Sequence, residues 1–151
     1  QAIAGLLHDV VEDCGQEHEL LVRLRFGERV ANIVMACTDA SNESKAREMT
    51  PEQRVADWRE RKEKYVAELG SKPRDALLVS CCDKLHNARA IVSDAEGRAG
   101  LDVFRRFKAG LAGTLWYYRA LSEQFMELDI AGARELSRTV RRMHELAEGA
   151  K

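Results

Sequence analysis

Only two prolines, Pro51 and Pro73, stand in 151 residues, and along the whole chain apolar side chains recur mostly at three-and-four spacing. Proline inside a helix removes a hydrogen bond and clashes with the preceding turn, so its scarcity leaves long stretches free to be helical. The three-and-four recurrence puts the apolar residues on one stripe of each helix. The expectation is an all-α fold, and the length suits one domain with an ordinary buried core.

The first helix is predicted from the N-terminus to about Val11, stopping near Gly15. A second covers Glu17 to Phe26, with Leu20, Leu21 and Leu24 as its buried stripe. After Gly27 a third runs from Glu28 to about Cys37 and buries Val30, Ile33 and Val34. The polar, aperiodic run TDASNESKAREM, Thr38 to Met49, reads as a loop. Thr50 and Pro51 then open a long helix that ends at Gly70. Thr50 is its N-cap, Pro51 its first helical residue, and Gln53 completes a capping box. Pro73 starts the next helix, whose centre ALLVSCCDKLHNARAIV is apolar on most sides, as expected of the most buried helix. After an irregular stretch from Asp94 to Gly100, two last helices span about Phe104 to Leu128, with a break at Gly110 or Gly113, and Ile130 to Glu148, capped by Asp129.

The formal net charge of -1 excludes a global basic field that would draw the chain to nucleic acid or anionic lipid. An anionic substrate must be held by local groups. The apolar runs are too short to span a membrane, and no signal-peptide pattern opens the chain. Cys14, Cys37, Cys81 and Cys82 form no CxxC pair and no disulfide framework, so the expected setting is a reducing cytoplasm. The opening QAIAGLL, without a starting Met, reads as the middle of a helix.

His8 and Asp9 are adjacent in GLLHDVVEDC, with Glu12 one turn from His8 and Asp13 one turn from Asp9. One turn of chain thus presents an imidazole and three carboxylates in an apolar setting. Burying them together is costly unless a cation or hydrogen bonds compensate. Mixed imidazole and carboxylate donors suit manganese, iron, nickel or zinc. The plainer alternative is a helix end with its acids in solvent, and for an isolated His-Asp pair that alternative is preferred. Asp83, 74 residues beyond Asp9, changes the balance because it lies in the most apolar helix of the chain. Aspartate is rarely fully buried unless paired or metal-bound. Lys84 is the alternative partner, although adjacent helical residues do not face each other. Asn87 shares the face of Asp83, one turn on.

GLLHDVVEDC, RFGERVANIV and CCDKLHNARAI, in that order, resemble the HD-domain hydrolases of guanosine tetraphosphate, both the hydrolase half of bifunctional stringent-response enzymes and the small stand-alone alarmone hydrolases. The resemblance covers roughly residues 1–40 and 75–92. It implies an HD-domain helical bundle in which His8, Asp9 and Asp83 are metal ligands. Glu12 and Asp13 would position and activate the attacking water, and Asn87 would contact the nucleotide. The implied metal is manganese, with iron, nickel, zinc or magnesium as alternatives. The family draws a further ligand histidine and basic substrate-binding residues from upstream of His8. Residues 1–151 are therefore expected to be a single HD-type hydrolase domain lacking its N-terminal helix or helices. Ala90 stands where members often have threonine, and TDASNE replaces a Gly-Val-Thr-Lys pattern. DWRERKEKYV and LWYYRAL look instead like a bacterial branch of stand-alone HD proteins.

In DWRERKEKYV, the residues Arg59, Arg61 and Lys62 are candidates to clamp substrate phosphates, and Arg61 with Tyr65 to bracket a base. The alternative is a solvated helix face held by pairs such as Glu60–Lys64. His86 is expected in the core or behind the ligands, His18 and His144 on the surface, and Trp116, Tyr117 and Tyr118 in the core. The leading function is metal-dependent hydrolysis of a phosphate ester or anhydride, with the 3′-pyrophosphate of a guanosine tetraphosphate-like nucleotide as first guess. A general nucleotidase or phosphomonoesterase, and an inactive HD nucleotide-binding module, are the alternatives. The expected partner is a small-molecule nucleotide, with no nucleic acid and no membrane; self-association is left open.

Overall fold

A computed structural model describes residues 1–38 and 49–149, and among these there are eight α-helices and no strand. The loop expected at Thr38–Met49 falls mostly on residues 39–48, outside the described residues. Where one first helix was predicted there are two short ones, α1 (Ala2–Leu7) and α2 (Val10–Cys14). His8 and Asp9 form the joint. The His8 Nδ1–H donates to the Gly5 carbonyl at 2.8 Å, and a side chain bonding a nearby carbonyl competes with the helical ladder at that point.

α3 (Glu17–Phe26) and α4 (Glu28–Cys37) have the predicted bounds. Gly27 between them takes a φ of 88°, a left-handed conformation that a side chain would strain, and so turns α4 back along α3. The stripe predicted for α3 is wrong: Leu20, Leu21 and Leu24 are exposed, Leu24 at 74%, and Val22 is the buried residue. In α4, Ala31, Ile33 and Val34 are buried, with Val30 only partly so.

α5 (Pro51–Glu68) begins with the predicted capping box. Gln53 N–H donates to Thr50 Oγ1 at 3.3 Å, and Thr50 N–H donates to Gln53 Oε1 at 2.9 Å. A 3-10 turn, Leu69–Ser71, closes it. α6 (Arg74–Glu96) continues three residues into the stretch predicted as irregular, followed by a 3-10 turn at Gly100–Arg106. α7 (Gly110–Glu127) starts at Gly110, the break that the sequence suggested. Asp129 does not cap the last helix, α8 (Ala133–Gly149). It adopts a φ of 50° and ends α7: Ile130 N–H donates to Phe125 O, and Asp129 N–H donates to Met126 O, both at 3.1 Å. That is the Schellman arrangement, with Ile130 buried as its apolar contact.

The core has two parts that share α6. Ala76 and Val79 of α6 pack with α1 to α4, whereas Leu77, Cys81, Leu85, Ala88 and Ile91 pack with α5, α7, α8 and the 3-10 turn. Burial on two sides explains why this helix reads as apolar around most of its circumference. Among the described residues no helix is long and apolar enough to cross a membrane.

Candidate functional site

The joint between α1 and α2 brings His8 against Asp83 of α6. His8 Nε2 lies 3.0 Å from Asp9 Oδ2 and 3.1 Å from Asp83 Oδ1. The Gly5 carbonyl can only accept, so Nδ1 bears a proton and Nε2 is the ring atom that faces the two carboxylates. This atom is buried and has no hydrogen-bond partner. Two ligand atoms each about 2.1 Å from a cation, and at right angles about it, are about 3.0 Å apart. The His8–Asp9 and His8–Asp83 separations are of that order. Among the described residues, however, no three His, Cys, Asp or Glu side chains are grouped so that they could hold a metal ion.

Asp83 is the buried acid of the set, 9% exposed. Its Oδ2 accepts from Lys84 Nζ at 2.6 Å and its Oδ1 from Asn87 Nδ2 at 2.8 Å. Lys84 thus does pair with Asp83 despite being adjacent, because its long stem bends back along the helix surface. Burial alone would raise the Asp83 pKa, but the Lys84 ammonium and the His8 imidazole outweigh it and hold the carboxyl below its ordinary value. Burial works against the charge of Lys84; Tyr117, Asp83 and Tyr65 overcome it and keep the ammonium above the usual lysine value. Asp9 is 58% exposed, yet desolvation raises its carboxyl, with His8 opposing and Asp83 adding to the rise. Asp13 is exposed and Glu12 half-buried. The cost of desolvation thus falls on Asp83 and Asp9 rather than on the two acids of α2.

Glu12, one turn from His8, lies on the wall of a cavity of about 360 Å³ that His8, Asp9 and Asp83 do not themselves line. Arg61 and Lys62 of α5 line it, together with Arg106 and Lys108 from the chain between α6 and α7. Trp58, Phe107, Tyr117 and Tyr118 form its aromatic surface. Trp58 meets Tyr117 edge to face, ring centres 5.9 Å apart, and Lys62 Nζ stands 5.0 Å over the Tyr117 ring. Burial pushes the Tyr118 hydroxyl up to about 12, and both the Asp83–Lys84 pair and Arg106 act on it, so cavity and trio share one electrostatic environment.

Two expected substrate contacts are placed elsewhere. Arg59 does not line the cavity: its guanidinium lies 3.2 Å from the centre of the Trp116 ring and donates to Glu63 at 2.6 Å. Tyr65 cannot bracket a base with Arg61, because it is buried and hydrogen-bonded to Ser80 at 2.6 Å. Arg61 pairs with Asp57 at 3.0 Å, so the charged face of α5 is both an ion-pair ladder and one wall of the cavity. Tyr117 and Tyr118 are buried as expected, and Trp116 is half-buried. His86 is exposed, whereas His18 and His144 are half-buried, each with one ring nitrogen out of solvent. Arg106 and Lys108 were missed by sequence reasoning. The signal was present as basic residues alternating with aromatics in FRRFK.

The sequence signature described as HD domain matches residues 1–115, from α1 into the first turns of α7. No curated protein matches the chain. With that match spanning most of its length, the chain belongs to the HD domain family, a superfamily of metal-dependent phosphohydrolases.

Proposed function

We propose that this chain hydrolyses a phosphate ester or anhydride of a nucleotide, with manganese as the divalent ion and the 3′-pyrophosphate of a guanosine tetraphosphate-like nucleotide as the favoured substrate. The observation that supports this most is the buried His8 Nε2 between two carboxylates, with Glu12, one turn on, in the wall of a cavity lined by basic and aromatic side chains. His8, Asp9 and Asp83 would hold the cation. When bound, it supplies charge neutralisation at the phosphoryl oxygens and a lowered pKa for water.

The rest is done by side chains of this chain. Asn87 fixes the Asp83 carboxylate in its orientation. Glu12, one turn from His8 and on the cavity wall, orients the attacking water and takes its proton. Asp13, on the exposed side of the same turn, is the second candidate for that role. Arg61 and Lys62 neutralise phosphate oxygens, and the aromatic surface beside them accepts the base. Arg59 supports that surface from behind through Trp116.

The test is release of pyrophosphate from guanosine tetraphosphate, and of phosphate from a nucleotide panel, by the chain and its Asp83→Ala variant with manganese. Manganese binding is measured in parallel by calorimetry. Pyrophosphate release that the variant loses, with manganese affinity reduced at least about 100-fold, supports the proposal. Phosphate release from simple nucleotides moves the assignment to a general nucleotidase, and nucleotide binding without turnover to an inactive binding module. An Asp83→Ala protein that keeps its metal and its activity refutes the ligand assignment.

A further inference from the structure

We infer that α3 docks against α3 of a second copy of this chain, the two helices antiparallel across a two-fold axis, through Leu20, Leu21 and Leu24. None of these residues lines the cavity, and their docking is independent of the phosphohydrolase reading.

α3 buries one residue, Val22, and turns three leucines to solvent. Leu20 is 59% exposed, Leu21 52% and Leu24 74%. At 3.6 residues per turn the three fall within an arc of about 100°, so they form one patch. Single exposed leucines are ordinary, but a contiguous apolar face on a helix is the kind of surface that another helix covers.

The two ends of this face carry opposite charges. Glu17 stands one turn before Leu20 and Leu21, and Arg25 one turn after Leu21. Arg25 is exposed and has no ion-pair or hydrogen-bond partner among the described residues. The exposed Glu17 carboxylate comes no nearer than 4.0 Å to the His18 ring. Arg23, by contrast, is taken up by Glu19 and Glu28 of its own chain. An antiparallel second α3 sets each Glu17 beside the other copy's Arg25 with the leucines between them. The face is thus complementary to itself, as a two-fold interface requires. A parallel pairing would set like charge against like. The helix dipole favours acid first and base last in any helix, yet gives no reason for the leucines between them to face solvent. A lipid surface is the poorer match, because α3 has no lysine and an acid sits on its leucine face. A ten-residue helix is only about 15 Å long, so the contact is smaller than the roughly 800 Å² per partner of a standard interface. Association should be weak, with a Kd on the order of 10–100 µM.

Sedimentation velocity of the full chain from about 1 to 500 µM should show a monomer–dimer equilibrium within that range. Leu24→Glu should weaken it at least about tenfold, whereas Met126→Glu, at an exposed apolar residue of α7, should leave it intact. Glu17→Arg and Arg25→Glu each set like charges together and should weaken self-association at least about fivefold. An equimolar mixture of those two variants should associate as tightly as the parent, because positions 17 and 25 are again opposite in sign across both contacts. All four substituted residues are exposed, and far-UV circular dichroism confirms the fold of each variant. A chain still monomeric at about 500 µM, a dimer that Leu24→Glu leaves unchanged, or a mixture no tighter than its components would each overturn the pairing. A monomer that floats with phosphatidylcholine vesicles would overturn it too, and would assign the leucines to a lipid surface.

Discussion

Replacing Lys84 by methionine keeps most of the side-chain volume and removes its charge. Lys84 Nζ is 2.6 Å from Asp83 Oδ2, and the two side chains are only 21% and 9% exposed. Unit charges at that separation attract by roughly 6 kcal/mol at an effective dielectric of about 20. Much of that attraction offsets the cost of removing both groups from water. Taking away one partner of such a pair costs about 3–5 kcal/mol, because the other is left buried without compensation. Asp83 still accepts from Asn87 and faces His8, so the low end, about 3 kcal/mol, is expected. In urea with EDTA, followed by tryptophan fluorescence, an m-value of about 2 kcal/mol/M turns this into a midpoint about 1.5 M lower. Manganese is the second arm of the experiment. At 100 times its Kd a ligand of the folded state adds about 2.7 kcal/mol of stability. The variant, with no ammonium competing for Asp83, should bind manganese more tightly than the parent, so a fixed concentration should narrow the gap between them. A cost below about 1 kcal/mol, or a gap that manganese leaves unchanged, would refute the reasoning.

Two further outcomes follow from local features. Thr50→Ala removes the side-chain half of the capping box and should cost about 1 kcal/mol; calorimetry should show a melting temperature about 2–4 °C lower, and an unchanged value would mean that α5 does not depend on its cap. Burial pushes the Cys81 thiol up from 9.0 to about 12, and the Cys37 thiol up to about 11. Below pH 9 both are neutral folded or unfolded, and their contribution is fully present. As pH rises from about 9 to 12 the unfolded thiols ionise first, so stability must fall across that window. Tyr118, raised from 10.0 to about 12 by burial, acts in the same direction. Urea midpoints at pH 8 and pH 11 check this, and equal midpoints would contradict it.

Much of this was legible in the sequence, and the failures share a cause. Helical periodicity says which residues of a segment lie on one face, but not which face meets the core. α3 shows it: its bounds were right, yet the Leu20, Leu21 and Leu24 face lies about 150° round the helix from Val22, which is the side that packs. Asp129 fits a helix start by composition, since aspartate is a good N-cap. It also tolerates the left-handed conformation, and only the hydrogen bonds of Ile130 and Asp129 back to α7 decide between the two. His8, Asp9 and Asp83 could be singled out because they are polar where their surroundings are apolar. The convergence of Arg106 and Lys108 with Arg61 and Lys62 was not, because it depends on how the chain before α7 packs against α5, about 45 residues apart.

The shared position of α6 has a consequence for how the molecule yields. The helices α1 to α4, and α5 with α7 and α8, each have their own buried cluster, and they touch α6 on different sides. Either group can loosen its hold on α6 while the other stays shut, as a hinged book opens one cover at a time. His8 and Asp9 belong to one cover, Asp83 to the spine, and the aromatic cavity to the other. An ion gripping all three acids and bases of the trio would latch the first cover to the spine, and a nucleotide reaching into the cavity would draw in the second. The grip on substrate and the resistance to opening are thus two readings of one mechanical seam.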